Sequence, residues 1–231
     1  MRRSITLGAL LTVGAGLGAM LLSGCEVGGD VVATANGAST VNGSIHVPAG
    51  LHSGSVSTVN GSIHIAENAT VASASTVNGG IDLGAHASAD SLSTVNGGVT
   101  LDDASHVTKA VGTVNGGLTL RTGADVGGTA GNVNGAIVLT NAHVAGGLRT
   151  VSGDIDITDG SHVEGGIRVE KSGGWFNWNP RKPRIVIGPN SVVQGDLRFE
   201  RDVDLYVSDK ATTGPIIGAT AVSFSGDKPP G

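Results

Sequence analysis

The stretch that decides the fold is Ser57-Thr58-Val59-Asn60-Gly61-Ser62-Ile63-His64-Ile65, because nearly the same nine residues recur along the chain. Close copies begin at residues 39, 75 and 93, and looser copies occupy 112–120 and 131–139. A seventh copy, at 150–157, has serine in place of the asparagine. Successive asparagines are 18, 18, 18, 19 and 19 residues apart. A repeat this short indicates a stack of similar structural units. The repeated asparagines are Asn42, Asn60, Asn78, Asn96, Asn115 and Asn134.

Two β-structures are compatible with this repeat. Asn-Gly between alternating apolar residues is a strong hairpin signal and would produce an antiparallel meander. In a parallel β-solenoid, each coil stacks on a similar coil, so that like residues form columns along the stack. The same residue types return at the same phase in every copy, which favours the solenoid. The sequence therefore predicts an all-β protein with a single parallel β-solenoid (β-helix) of about 18-residue coils over residues 39–207.

Each position of the repeat has an expected role. Ile63 and Ile65 point inward and His64 points outward, because side chains alternate along a strand. The asparagines form a structural ladder, in which each side-chain amide bonds to the next coil. The glycine after each asparagine is expected to supply the positive φ of a turn.

Composition is consistent with a narrow β-structure. Glycine supplies 39 of the 231 residues, and aromatic residues make up only 3%. The interior of a coil is therefore expected to hold aliphatic side chains. The formal charge of −5 argues against a nucleic-acid partner, since phosphate recognition needs clustered positive charge.

Residues 1–24 have the pattern of a secretion signal, in which Arg2 and Arg3 precede an uncharged apolar run. The next residues, Leu22-Ser23-Gly24-Cys25, resemble the lipobox of bacterial lipoproteins. This resemblance implies a diacylglyceryl thioether on Cys25, cleavage before it and acylation of the new N-terminus. Residues 25–38 would then be a lipidated N-terminus and linker.

The lipobox resemblance also implies a location and a partner. The protein would be a membrane-anchored lipoprotein of the bacterial cell envelope, held by its lipid. In lipoproteins the residue after the cysteine influences sorting. Glu26 at that position favours the outer membrane if the source is Gram-negative.

Two further resemblances concern the repeats. The Thr-Val-Asn-Gly-x-Ile pattern resembles the repeats of bacterial adhesin-type domains of unknown function, which occur in envelope proteins. Residues 187–197 are similar to bactofilins, which are polymer-forming β-helices. The same stretch looks like about two hexads of the hexapeptide repeat of acyltransferases, although it lacks a histidine. These resemblances imply a β-helical architecture and leave self-association open.

Residues 171–184 interrupt the repeat, and Pro180 and Pro183 prevent this segment from continuing as an interior strand. The segment combines three aromatic and three basic side chains, a surface that can stack on glycan rings or lie at lipid headgroups. The alternative is a folded-back loop that covers apolar surface on the solenoid flank. The candidate ligand-binding residues are Trp175, Phe176, Trp178, Arg181, Lys182 and Arg184.

Histidines raise the question of a metal site. His46 and His64 occupy the same phase one coil apart, and Asp82 follows in that column, a residue set suited to zinc. The competing interpretation is that outward polar positions vary freely. The later histidines are expected at solvated positions near the later corner of their coils. They are His86, His106, His143 and His162.

No enzymatic activity and no cofactor are predicted. Polysaccharide-cleaving β-helices carry carboxylate clusters on long loops, and these coils are too uniform for such loops. Residues 208–231 are expected to form a C-terminal cap and tail. The predicted function is that of a rigid scaffold, spacer or adhesin-like surface in the cell envelope, with an envelope glycan or another envelope protein as the expected partner. The alternative is a carbohydrate-binding or carbohydrate-active surface protein working through residues 171–184.

Overall fold

The computed structural model describes residues 25–26, 28–171 and 181–229. These residues form 29 strands and no helix. Every pair of named strands within them is parallel, as in Ile45↔Ile63 and Ile63↔Ile81. The antiparallel meander is therefore excluded, and the predicted all-β parallel solenoid is confirmed.

The strands are short, and most have two to five residues. In chain order they are β1 (Cys25–Glu26), β2 (Val31–Val32), β3 (Ala38–Asn42), β4 (Ile45–Val47), β5 (His52–Ser53), β6 (Val56–Asn60), β7 (Ile63–Ile65), β8 (Thr70–Asn78), β9 (Ile81–Leu83), β10 (Ser88–Asn96), β11 (Val99–Leu101), β12 (His106–Val107), β13 (Val111–Asn115), β14 (Leu118–Leu120), β15 (Asp125–Val126), β16 (Ala130–Gly131), β17 (Ala136–Thr140), β18 (His143–Val144), β19 (Leu148–Thr150), β20 (Asp154–Thr158), β21 (His162–Val163), β22 (Ile167–Val169), β23 (Arg184–Ile187), β24 (Val192–Val193), β25 (Leu197–Phe199), β26 (Asp204–Ser208), β27 (Thr212–Thr213), β28 (Ile216–Ile217) and β29 (Ala221–Phe224).

The strands build two sheets that run along the stack. Sheet 1 has eleven strands, from β2 to β29, and receives one strand from each coil. Sheet 2 has eighteen strands and receives the remaining segments of each coil. From Ile45 to Ile155, partners in sheet 1 are 18 or 19 residues apart, so equivalent positions of the repeat lie directly above one another.

The core is a column of aliphatic side chains between the two sheets. Ile63, Leu101, Leu118 and Ile155 are fully buried. Burying each such side chain contributes roughly 1.5–3 kcal/mol, so the column is a major source of stability.

The stack extends beyond residues 39–207 at both ends. Strands β1 and β2 pair with β3 and β4, so residues from the predicted linker belong to the first coil. Strands β27, β28 and β29 continue both sheets to Phe224 in the same parallel sense. Ile155 pairs with Ile185, 30 residues later in the chain, and this longer coil contains the predicted loop.

Candidate functional site

The asparagines of the repeat form a hydrogen-bonded ladder on the surface. The side-chain Nδ2 of Asn60 donates to Oδ1 of Asn42 at 2.9 Å, and Asn78 donates in the same way to Asn60 at 2.8 Å. The pattern continues without interruption to Asn134, which donates to Asn115 at 3.0 Å. Because these side chains are exposed, water can replace a lost partner, and each rung contributes modestly to stability.

A second column, of buried threonines, was missed at the sequence level. The hydroxyl of Thr58 donates to the carbonyl oxygen of Gly43 at 2.9 Å, and Thr76 donates to Gly61 at 2.9 Å. Two further coils repeat this bond. The available signal was the threonine two residues before each asparagine from Asn42 to Asn115, which stands at an inward phase. These hydroxyls satisfy glycine carbonyls inside the stack.

The glycine after each asparagine is required by close packing between coils. A Cβ atom built on Gly61 would lie 2.0 Å from the carbonyl oxygen of Gly43, and one on Gly79 would lie 2.0 Å from that of Gly61. The φ angles of Gly61, Gly79 and Gly116 lie outside the left-handed range. The expectation of positive φ is therefore wrong for these glycines, whereas Gly43 and Gly135, with φ of 154° and 122°, do have it. A side chain is excluded there by the backbone of the preceding coil.

The predicted zinc candidates do lie in one column of sheet 1. The ring centroids of His46 and His64 are 5.2 Å apart, and Nδ1 of His64 is 2.9 Å from Oδ2 of Asp82. Within the part of the chain that the structure describes, no three His, Cys, Asp or Glu side chains are grouped so that they could hold a metal ion. The observed contact is a close His–Asp pair at ion-pair distance.

Three of the later histidines lie with Asp125 in one column on sheet 2. Asp125 lies between His106 and His143 in register, and His162 follows. Nδ1 of His106 is 2.6 Å from one carboxylate oxygen of Asp125, and Nδ1 of His143 bonds to the other. Nε2 of His143 is also 3.2 Å from Glu164. His86 is different: it is exposed at a turn with φ of 56°.

The acidic neighbours alter the titration of this column. The hydrogen bond that His143 donates to Asp125 is the largest effect on its pKa and raises it, although desolvation opposes the change. A dipeptide signal in the sequence identifies the column once the coil length is known. Residues 106–107, 125–126, 143–144 and 162–163 are each His-Val or Asp-Val, spaced 19, 18 and 19 residues apart.

The described basic residues of the irregular segment contact the flank of the solenoid. Nη2 of Arg181 donates to Oδ2 of Asp154 at 2.6 Å, and Nζ of Lys182 is 3.6 Å from Oδ2 of Asp202. The guanidinium of Arg184 lies 5.2 Å from the ring centroid of Tyr206. These contacts are the kind expected if residues 181–184 end a loop that folds back on the solenoid flank. The aromatic candidates Trp175, Phe176 and Trp178 lie outside the described residues.

The cations of residues 181–184 also affect the nearest carboxylates. The backbone N–H of Arg184 donates to Oδ1 of Asp154 at 2.8 Å, so both oxygens of this carboxylate have partners. Burial raises the pKa of Asp156, and the charge of Arg184 opposes this rise. These contacts hold the end of the long insertion against sheet 1.

The predicted lipidation site stands at the start of the stack. The backbone of Cys25 pairs with Ser39 in the first rung of sheet 2. The predicted signal, residues 1–24, lies outside the described residues. In the described part of the chain, no helix is long and apolar enough to cross a membrane.

Comparisons of the chain with protein-family models, with curated proteins and with solved structures found no match. The class of protein is therefore defined by the architecture alone, which is a parallel β-solenoid of about ten turns. The resemblances to adhesin-type repeats, bactofilins and lipoproteins stay predictions from the sequence.

Proposed function

We propose that this protein is a non-enzymatic lipoprotein of the bacterial cell envelope whose rigid solenoid acts as a scaffold, spacer or adhesin-like surface. The main support is the unbroken parallel register of sheet 1 from β2 to β29. Eleven strands at about 4.8 Å per step extend for about 48 Å. A stack of this kind presents its surface residues at fixed spacing.

Three sets of bonds connect successive coils over residues 42–115. Backbone hydrogen bonds join the strands, for example from Gly61 to the carbonyl oxygen of Asn78 at 3.0 Å. The asparagine ladder lies outside, and the threonine hydroxyls lie inside. Bending the stack would strain all three sets together, which favours a role that depends on stiffness.

The proposed anchor is the lipid on Cys25. This residue belongs to β1, and the next strand of the stack begins at Val31. A lipid at Cys25 would therefore hold the first coil close to the membrane surface. In a Gram-negative source we propose the outer membrane, because Glu26 follows the cysteine.

Anchoring is tested with Cys25→Ser, since only a thiol can accept the diacylglyceryl group. We expect the wild type to incorporate labelled palmitate and to sediment with membranes, and the variant to do neither. Ser23→Ala is a matched control because it changes a nearby hydroxyl and retains the thiol. Unchanged membrane partitioning of Cys25→Ser would refute lipid anchoring.

The spacer role is tested by removing two whole coils, residues 57–92. This deletion joins equivalent positions of the repeat, so the shortened stack is expected to fold. Energy transfer from a C-terminal fluorophore to a dye in the bilayer should then report a distance about 10 Å shorter. An unchanged distance in the folded variant would contradict an upright spacer.

The alternative function is carbohydrate binding through residues 171–184. Its support is the aromatic content of the segment, because aromatic faces stack on sugar rings. The partners of Arg181 and Lys182 on the flank argue against a free basic surface. Trp175→Ala together with Trp178→Ala should abolish retention on envelope glycan if this alternative is correct. Unchanged retention would exclude it.

A further inference from the structure

One outward column of sheet 2 begins at Cys25, ends at Ile217 and changes its chemistry between these two residues. In the six successive coils from Ser39 to Gly131 it contains only serine or glycine. The next three coils place Arg149, Arg168 and Arg198 in register with one another. We call these three residues the arginine stripe.

Folding does not account for the stripe. All three side chains are exposed, and small residues occupy the same column in six other coils. Adjacent rungs are about 4.8 Å apart, which brings like charges close together. At about 4 Å, such a pair costs about 1 kcal/mol even in bulk water.

Acidic neighbours neutralise only part of the positive charge of the stripe. Nη1 of Arg168 is 3.8 Å from Oε1 of Glu200, and Nη2 of Arg198 is 3.6 Å from Oδ2 of Asp196. Both distances are long for ion pairs, and among the described residues Arg149 forms none. The stripe thus has one more positive charge than its acidic partners supply, on a chain whose net charge is −5.

A shallow cleft of about 260 Å³ adjoins the stripe and is lined by all three arginines. Gly146, Gly147 and Gly165 form part of its wall. A Cβ atom on any of them would come within 2.8 Å of backbone in a neighbouring coil. The cleft is smaller than the usual site for a drug-sized molecule, so it fits one short unit of a longer ligand.

We propose that the arginine stripe and its cleft bind a linear acidic polysaccharide, with uronate carboxylates paired to the guanidinium groups. The planar fork of arginine matches a carboxylate in a bidentate pair. Because the stripe follows the stack axis, it fits a ligand whose charges also repeat along a line. Asp196 and Glu200 beside the stripe disfavour a more densely charged polymer such as polyphosphate or nucleic acid.

Polygalacturonate is the test ligand, and the purified full chain is immobilised for binding measurements. Neutral dextran and inorganic polyphosphate are the comparison polymers. The key variant is Arg149→Ser/Arg168→Ser/Arg198→Ser, because serine occupies this column in earlier coils and should preserve the fold. We expect wild-type binding of polygalacturonate with little binding of dextran. The variant should bind at least about tenfold more weakly, given the strength of charge-assisted hydrogen bonds.

The matched control removes three positive charges elsewhere, as Lys109→Ser/Arg121→Ser/Lys210→Ser. It changes the net charge by the same amount, and we expect its affinity to stay within about twofold of the wild type. Replacing the three stripe arginines by lysine retains the charge but removes the planar fork. That variant should lose affinity partially, by about three- to tenfold.

Several results would overturn the proposal. They are absence of polygalacturonate binding to the wild type, equal binding of dextran, and tighter binding of polyphosphate. Unchanged affinity in the folded serine variant would also overturn it, as would an equal loss in the charge-matched control. Circular dichroism of each variant shows whether the fold is retained, and the lysine variant provides a second test if the serine variant does not fold.

Discussion

The two halves of the stack have the same backbone architecture and different surfaces. In the N-terminal region, residues 38–135, the outward columns carry serine and asparagine, and buried threonines bond to glycine carbonyls. In the C-terminal region, residues 136–224, the asparagine ladder has ended. The arginine stripe lies there instead, and the histidine column that begins at His106 ends there at His162. The surface proposed to bind a ligand therefore lies in the region that has lost the repeat motif.

The buried columns explain how the motif can be lost without loss of the stack. The inward threonine column becomes Val169 and then Phe199 in register with Thr150, so an apolar side chain replaces the hydroxyl. Asn132 marks the transition: its Nδ2 donates to the carbonyl of Gly116 at 3.2 Å, and its buried Oδ1 has no partner among the described groups. Backbone ladders and aliphatic packing are thus sufficient to continue the coils.

The largest expected effect concerns the glycines of the N-terminal region. Gly79→Ser should destabilise the protein by about 3 kcal/mol or more, because its Cβ would overlap the carbonyl oxygen of Gly61 at 2.0 Å. Gly80→Ser is the matched control, since Ser62 already occupies that position one coil earlier. Its Cβ would meet its nearest atom at 3.3 Å, so we expect a change of at most about 0.5 kcal/mol. Urea unfolding of both variants measures the difference, and similar losses would refute the close-packing explanation.

The next largest effect tests the buried threonine column of the N-terminal region against the apolar residues that continue it in the C-terminal region. Thr76→Val retains the side-chain shape and removes the donor to the carbonyl of Gly61. We expect a loss of about 1–2 kcal/mol in the free energy of unfolding, because that buried carbonyl loses a partner. Val169→Thr makes the reverse change in the C-terminal region and should also destabilise, since it buries a hydroxyl. If Thr76→Val leaves the free energy of unfolding unchanged, the hydroxyl does not contribute to stability.

The asparagine ladder should give a smaller effect, because it is exposed. Asn78→Ala removes two ladder bonds, one to Asn60 and one from Asn96, and should cost about 1 kcal/mol. Asn134→Ala removes the bond to Asn115 at the end of the ladder and should cost about half as much. Denaturant unfolding of the two variants measures this ratio. Equal losses of stability in the two variants would contradict the difference of one ladder bond between Asn78 and Asn134.

The smallest effect is a pH dependence of the C-terminal region. Because Asp125 raises the pKa of His143, protonated His143 stabilises the fold at pH values below its unfolded pKa of about 6.5. That contribution is lost as the pH rises through the higher folded pKa. We therefore expect the stability difference between wild type and His143→Asn to be larger at pH 5.5 than at pH 8.5. The change should be a few tenths of a kcal/mol, because exposed ion pairs are weak.

The charged neighbours of His143 define the controls for this pH experiment. Asp125 faces it from the preceding coil and also contacts His106, and Glu164 and His162 face it from the next coil. Asp125→Asn should reduce the pH dependence that His143 contributes. A pH dependence unaffected by Asp125→Asn would assign the titration to another group.

The sequence by itself determined the solenoid, its coil length and its aliphatic interior. These features follow from periodicity, because a repeat of 18 or 19 residues places like residues above one another, and alternation directs Ile63 and Ile65 inward. Only the tertiary structure decided what meets across the coils. Three findings depend on the register between residues that are 18, 19 or 30 positions apart. They are the close packing that requires glycine at position 61, the bond from Thr58 to a glycine carbonyl, and the alignment of the arginine stripe. That register is set by the stacking of whole coils and by the length of the insertion before Arg184, which no local pattern of residues encodes.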